Sequence, residues 1–146
     1  MHAKSENAVR VLVILVVAAM ALAGCARTGA GESRQIPPAR MERIGNTLSV
    51  VLTPLGAQRI GIQTEPCTAT KKLILIPFDA LLYEPDGQTA VYVKTASLTF
   101  TRAYITVARI VGNDVFVTGG LTAGAQVVTV GAEELLGVQN GVGVET

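Results

Sequence analysis

The chain has little of what catalytic and metal sites are commonly built from. Its 146 residues contain no tryptophan, one histidine (His2) and two cysteines (Cys25 and Cys67). His2 lies in an N-terminal segment that we expect to be removed, so the mature chain would keep no imidazole. A histidine-based catalytic triad and a histidine zinc site are thereby excluded. We expect no enzyme activity and no metal or organic cofactor.

An excess of charge of either sign is also missing. The chain has 12 basic and 11 acidic residues. Removing residues 1–24 takes away Lys4, Arg10 and Glu6, which leaves 12 − 2 = 10 basic and 11 − 1 = 10 acidic residues. Neutralisation of phosphates dominates affinity for nucleic acids, so a domain without net charge or a basic run is a poor nucleic-acid binder.

Aromatic residues make up only 4% of the chain, and no long amphipathic helix or heptad pattern occurs. The core should therefore be aliphatic. Fifteen glycines and six prolines between β-branched runs favour short strands joined by turns. We predict an all-β fold, a small barrel or roll of about seven to nine strands. One short helix is expected near 54–61, with Thr53 as its N-cap, Pro54 at its first position and Gly61 at its end.

The N-terminus has the pattern of an export signal. A basic start is followed by 14 uncharged residues, 11–24, fewer than the roughly 20 that a membrane-spanning helix needs. Leu22, Ala23 and Gly24 then precede Cys25, and this "LAGC" resembles the lipobox of bacterial lipoproteins. The resemblance implies cleavage before Cys25 and a covalent diacylglyceryl group on its sulfur, whose two acyl chains would hold the protein to a membrane. The alternative is an ordinary signal peptide with a chance cysteine.

We divide the chain into a signal peptide (1–24), a flexible tether (25–45) rich in Gly, Ser, Arg and Pro, and a β domain (46–146). With Cys25 lipidated, Cys67 has no partner for an intrachain disulfide, and is either a small buried side chain or an exposed thiol. The pattern of "SLTFTRAYITVARI" predicts one long strand with a bulge or bend in its middle. Arg102 and Arg109 are interpreted as solvated residues of this strand.

Three stretches taken in order resemble one family. They are "LTPLGAQRIGIQTEPC" (52–67), "LIPFDALLYEPDGQTAVYVK" (75–94) and "FTRAYITVARIVGNDVFVTGGLTAGAQVVTVGAEELL" (100–136). Their order is similar to that in the periplasmic adaptor subunits, or membrane fusion proteins, of RND-type efflux pumps. Only nine residues separate Cys67 from Pro77, so the lipoyl-like domain and the long α-helical hairpin of full adaptors are missing here.

The resemblance implies a non-enzymatic, lipid-anchored adaptor on the periplasmic side of the cell envelope, with its membrane left open. Its expected partner is an inner-membrane RND transporter, with a full-length adaptor or a second copy as further partners. Two alternatives stay open: a periplasmic lipoprotein that holds a small apolar ligand inside the barrel, and a degenerate adaptor without a pump partner. Loops on a rigid sheet often carry binding residues. The candidate contact residues are Pro85, Asp86, Gly87 and Gln88 in one turn, and Gly120, Leu121 and Gly124 in one loop.

Overall fold

A computed structural model describes residues 37–142. These residues form ten strands, two short α-helices and one 3-10 turn at Phe78–Ala80. The helices are α1 (Pro54–Ile60) and α2 (Ala132–Gln139). The strands are β1 (Ala39–Ile44), β2 (Thr47–Leu52), β3 (Gln63–Pro66), β4 (Thr68–Thr70), β5 (Leu73–Pro77), β6 (Leu82–Tyr83), β7 (Thr89–Ala96), β8 (Thr99–Val111), β9 (Asp114–Gly119) and β10 (Gln126–Val130).

The strands join into one antiparallel sheet that curls into a nearly closed barrel. Its order is β3-β10-β7-β8-β9-β5-β4, while β2 pairs with β8, β1 with β2, and β6 with β7. The prediction of an all-β small barrel is confirmed, with ten strands in place of seven to nine.

Strand β8 connects the two halves of the sheet. Its first part pairs with β7 as far as Ile105, and its second part pairs with β9 from Thr106 onward. The register shifts on either side of Val107. Such bulges bend a strand and increase its twist, so the predicted bend is present, and it turns the sheet back on itself.

Two clusters of buried side chains form the interior. Successive residues of a strand point to opposite faces, so Tyr92 packs in the first cluster, with Phe100 and Leu135, and its neighbour Val91 packs in the second, with Ile76. Tyr92 and Phe100 are the largest of the fully buried side chains. The core is thus mostly aliphatic, as expected, but two of the few aromatic residues lie at its centre.

Helix α1 begins and ends where its sequence predicts. The Thr53 hydroxyl accepts a hydrogen bond from the Gly56 N–H at 3.0 Å, and Pro54 takes the first helical position. Gly61 ends the helix in the left-handed conformation, with φ of +67°. Side-chain capping, proline at the start and glycine at the end are the usual signals of helix boundaries.

The expected tether is wrong over its last residues, because Ala39–Ile44 form strand β1, paired with the whole of β2. Ala39 is buried in the first cluster, and the Pro38 carbonyl accepts a hydrogen bond from the Thr53 N–H at 3.0 Å. Burial of Ala39 and the backbone pairing of β1 with β2 stabilise this strand although several of its side chains are charged. The β domain therefore begins before residue 46. Residues 1–36, including the expected signal peptide and Cys25, lie outside the described part.

Helix α2 is a second helix, in addition to the single short helix that was expected near 54–61. It spans Ala132–Gln139 and buries Leu135 in the first cluster. Its last residue, Gln139, accepts a hydrogen bond from the Tyr92 hydroxyl. Across residues 37–142, no helix is long and apolar enough to cross a bilayer.

Candidate docking surface at the hairpin tip

The turn between β6 and β7 is closed by its own hydrogen bonds. The Glu84 N–H donates to the Gln88 carbonyl, and the Gly87 N–H to the Glu84 carbonyl, each at 2.9 Å. Gly87 has φ of +84°, a conformation that glycine adopts without steric cost. Pro85–Gln88 therefore lie in one turn, as predicted, and this turn presents them in a fixed exposed shape.

Asp86 is tied into this turn and does not act as a free carboxylate. Its oxygens accept hydrogen bonds from the Gln88 backbone N–H at 3.0 Å and from the Gln88 side-chain amide at 2.7 Å. These bonds lower the pKa of Asp86, with the backbone bond as the larger cause. Asp86 thus orders the turn as an anion over the whole neutral range of pH.

The turn lies beside the bend of β8. Gly87, Gln88 and Thr89 line one open depression together with Tyr104–Thr106. The Thr89 hydroxyl donates to the Ile105 carbonyl at 2.9 Å, which fixes the two strands at this point. We call the exposed region formed by Pro85–Gln88, Tyr104, Thr106 and Gly120 the tip surface.

Gly120 approaches the same bend from the loop after β9. A Cβ atom built on Gly120 would lie 2.1 Å from the Tyr104 carbonyl oxygen and 2.9 Å from the Ile105 Cα. Only a residue without a side chain allows the loop to come so close. The structure therefore brings Gly120 together with Tyr104, on the strand that borders the Pro85–Gln88 turn.

Leu121 and Gly124 do not extend the tip surface in the same way. Leu121 is partly buried and packs against the second cluster. The Gly124 N–H donates to the Cys67 carbonyl at 2.9 Å, so this end of the loop is bound to the β3–β4 connection. Of the predicted contact loop, Gly120 thus lies against the bend of β8, which also borders the Pro85–Gln88 turn, whereas Leu121 and Gly124 face other parts of the domain.

The interpretation of Arg102 as a solvated residue is wrong, because its side chain is mostly buried. Its guanidinium lies 2.9 Å from the Glu84 carboxylate, and the two side chains are only 20% and 11% exposed. It also lies 5.2 Å from the centre of the Tyr104 ring. Arg102, Glu84 and Tyr104 form a connected group that holds the base of the turn against β8. Arg109, by contrast, is exposed as expected, and lies over the Phe116 ring at 4.1 Å.

Replacing Arg102 with methionine is expected to cost about 2 kcal/mol of unfolding free energy, because Glu84 would remain as a largely buried charge without its partner. Arg109→Met is the matched control, since Arg109 is exposed and would lose only its contact with Phe116, worth below about 1 kcal/mol. Urea denaturation of both variants measures the difference. A second Glu84→Gln substitution should restore part of the loss, and equal costs for the two arginines would contradict the ion-pair role.

Cys67 is buried, so of the two alternatives left open, a small buried side chain and an exposed thiol, the first is present. Burial raises the pKa of its thiol, and a backbone hydrogen bond opposes this only in part. A buried thiol with a raised pKa is a poor nucleophile. Within residues 37–142, no group of three or more His, Cys, Asp or Glu side chains could hold a metal ion.

The barrel interior is filled by the protein itself. Tyr92, Phe100, Ile76 and Leu135 are fully buried, together with valines from both clusters. Side chains packed at interior density leave few voids larger than a water molecule. This packing argues against the alternative in which the barrel encloses a small apolar ligand.

Sequence reasoning missed Tyr104 as a surface residue of interest. It is 49% exposed, on the strand next to the Pro85–Gln88 turn. Its position in a strongly β-forming stretch gave no reason to place it beside that turn. The useful signal is that the apolar residues of β8 change from one set of alternate positions to the other near its middle, which predicts a bend. A residue at a bend is turned away from the core that its neighbours fill.

A comparison with protein-family models finds one match. Residues 72–134 match the model described as RND MFPs, C-terminal permuted SH3 domain. This part of the chain is similar to the C-terminal domain of RND membrane fusion proteins. It covers less than half of the 146 residues, but it includes every residue of the tip surface.

The match supports an adaptor of the membrane fusion protein type. It covers all of the second of the three stretches that carried the resemblance and most of the third. The first stretch, residues 52–67, lies outside the matched residues. Comparisons with curated proteins and with solved structures gave no match.

Proposed function

We propose that this chain is a lipid-anchored adaptor that docks on the periplasmic part of an inner-membrane RND-type transporter. The observation that carries the proposal is the match of residues 72–134 to the C-terminal domain of membrane fusion proteins. Its role is to bind and position a partner, without a reaction of its own. The cell envelope, on its periplasmic side, is the location that this family implies.

The tip surface is the part of the domain that we assign to docking. It combines a turn fixed by its own hydrogen bonds with the exposed ring of Tyr104, and Arg102 lies beneath that ring. Tyrosine and arginine are enriched among the residues that dominate binding energy. Because the turn and the bend of β8 are already ordered, little conformational entropy would be lost on docking.

The lipid on Cys25 strengthens docking by raising the local concentration of the domain near its partner. A domain held at the membrane surface meets a membrane-embedded partner at an effective concentration set by its tether, which strengthens a weak contact without adding a new one. The "LAGC" sequence at 22–25 supports this anchor. The tether that remains between Cys25 and strand β1 is residues 26–38.

Affinity purification of the tagged full chain from crosslinked membranes tests the proposal. An inner-membrane transporter should be recovered with the native chain, and recovery should fall strongly with Cys25→Ser. Tyr104→Ser should lower recovery at least about tenfold, the effect typical of a dominant interface residue. Release of Cys25→Ser protein from the membrane fraction is measured in parallel.

Tyr83→Ser is the matched control. Tyr83 is 60% exposed, and pairing of Tyr83 with Thr89 places it on the opposite face of the sheet from Tyr104. Its loss should leave recovery unchanged. Equal effects of the two tyrosine substitutions would refute docking through the tip surface. A native chain that recovers no transporter would instead favour a degenerate adaptor without a pump partner.

A further inference from the structure

One surface of the domain gathers positive charge. Lys71 and Lys72 form the two-residue turn between β4 and β5, since Thr70 pairs with Leu73 across it. Together with Thr70, Leu73 and Arg109 they line a shallow pocket, which we call the basic pocket. Three cations therefore converge from two different hairpins, and none of the described residues that line the pocket carries a carboxylate.

Within the described part of the chain, no carboxylate forms an ion pair with the cations of the basic pocket. Among residues 37–142, the ion pairs are Arg40 with Glu42 and Arg102 with Glu84, and neither involves this pocket. Arg109 is held in place by the Phe116 ring, 4.1 Å from its guanidinium. A planar guanidinium fixed over an aromatic ring keeps its hydrogen-bond donors available to phosphate oxygens.

The backbone conformation of Lys71 also supports a binding role for this turn. Lys71 has φ of +53°, at the first position of a two-residue hairpin turn, where glycine is the favoured residue. Leu98 is the other non-glycine residue with positive φ in the described part, and its side chain packs against the first cluster. No such packing accounts for Lys71, which is exposed. An unfavourable conformation that packing does not repay is a reason to look for a function of the side chain.

We propose that the basic pocket binds the phosphate groups of anionic phospholipids and so orients the domain on the membrane surface. The proposal rests on the membrane location in the proposed function, but it does not require the transporter. Each lysine or arginine close to an anionic bilayer adds attraction, which salt weakens. A lipid anchor alone fixes distance from the bilayer, whereas a charged pocket on one side of the domain also fixes which side faces it.

The test uses the full chain, purified from membranes in detergent and reconstituted into vesicles without any transporter. One set of vesicles contains phosphatidylcholine alone, and the other contains phosphatidylcholine with phosphatidylglycerol. A membrane-impermeant amine reagent labels exposed lysines, and mass spectrometry measures labelling of Lys71 and Lys72 relative to Lys94. Lys94 is also exposed and lies on strand β7, outside the pocket, so it serves as an internal control.

Labelling of Lys71 and Lys72 relative to Lys94 should fall about threefold or more in the anionic vesicles, and high salt should restore it. Equal ratios in the two kinds of vesicle would overturn the proposal. A further arm adds inorganic phosphate to the phosphatidylcholine vesicles. If phosphate alone protects the lysines as well as phosphatidylglycerol does, the site binds free phosphate and the assignment to a lipid surface is wrong.

Two variants separate binding from stability. Arg109→Gln should reduce the protection of both lysines from about threefold to below about 1.5-fold. Lys71→Gly should also weaken the protection of Lys72, yet its urea midpoint should stay equal or rise, because glycine fits the positive φ. A variant that loses protection only when its midpoint also falls would show that the lysines have a structural role instead.

Discussion

Gly120→Ala is expected to destabilise the domain by about 3–5 kcal/mol. The new methyl group would lie 2.1 Å from the Tyr104 carbonyl oxygen, and Gly120 has φ of +96°, which alanine adopts only with strain. The obstructing atom belongs to the backbone of β8, at the bend that joins the two halves of the sheet, so it cannot simply rotate away. Urea denaturation monitored by far-UV circular dichroism measures the loss.

Gly124→Ala is the matched control for this prediction. Gly124 lies in the same loop with φ of +81°, but a Cβ atom there would have no other atom within 4 Å. Its cost should be that of the backbone conformation alone, about 1 kcal/mol. A loss at Gly120 no larger than the loss at Gly124 would mean that the loop yields, and the tip surface would then be less rigid than its contacts indicate.

Features of the fold that depend only on residues close together in the chain could be predicted from the sequence. The start of helix α1 depends on Thr53 and Pro54 and its end on Gly61, and all three act within a few residues of one another. The tip turn likewise depends on Gly87 and on Asp86, whose bonds go to Gln88. Local hydrogen bonds and backbone preferences decide such elements, so a reader of the sequence can place them.

Strand β1 and helix α2 could not be predicted from the sequence, because contacts with distant residues stabilise them. The charges of "ARMERI" give a weak alternation, and the strand exists because Ala39 is buried against residues far along the chain. In α2, Leu135 is buried in the same cluster. Burial against residues distant in the sequence overrides weak local preference in both cases.

The tip surface likewise combines turns that local sequence predicts with contacts between distant residues that it does not predict. The sequence pattern places Pro85–Gln88 and Gly120 in two separate loops, and nothing local relates them. Pairing of β7 with β8, and the close approach of Gly120 to Tyr104, bring both loops to the bend of β8. The ion pair between Glu84 and Arg102 spans 18 residues for the same reason, so an arginine that looks solvated in sequence is a contact at the base of the turn.

Phe100→Ala is expected to destabilise the domain by about 3–5 kcal/mol, the usual cost of removing a fully buried phenylalanine. Phe100 is 1% exposed, and its backbone lies between Val50 of β2 and Lys94 of β7. The cavity would open where three strands meet and where β1 reaches the barrel through β2. For a domain of ordinary stability, about 5–15 kcal/mol, this is a large part of the total.

Phe78→Ala is the control of the same chemistry, because Phe78 is 40% exposed and should cost below about 1.5 kcal/mol. Phe100→Leu should fall between the two, since leucine refills part of the space. If β1 and β2 belong to the same cooperative unit as the matched segment 72–134, Phe100→Ala must lower the unfolding midpoint of the whole domain in a single transition. A separate early transition would instead show that residues 39–52 can leave the barrel while the segment that resembles membrane fusion proteins stays folded.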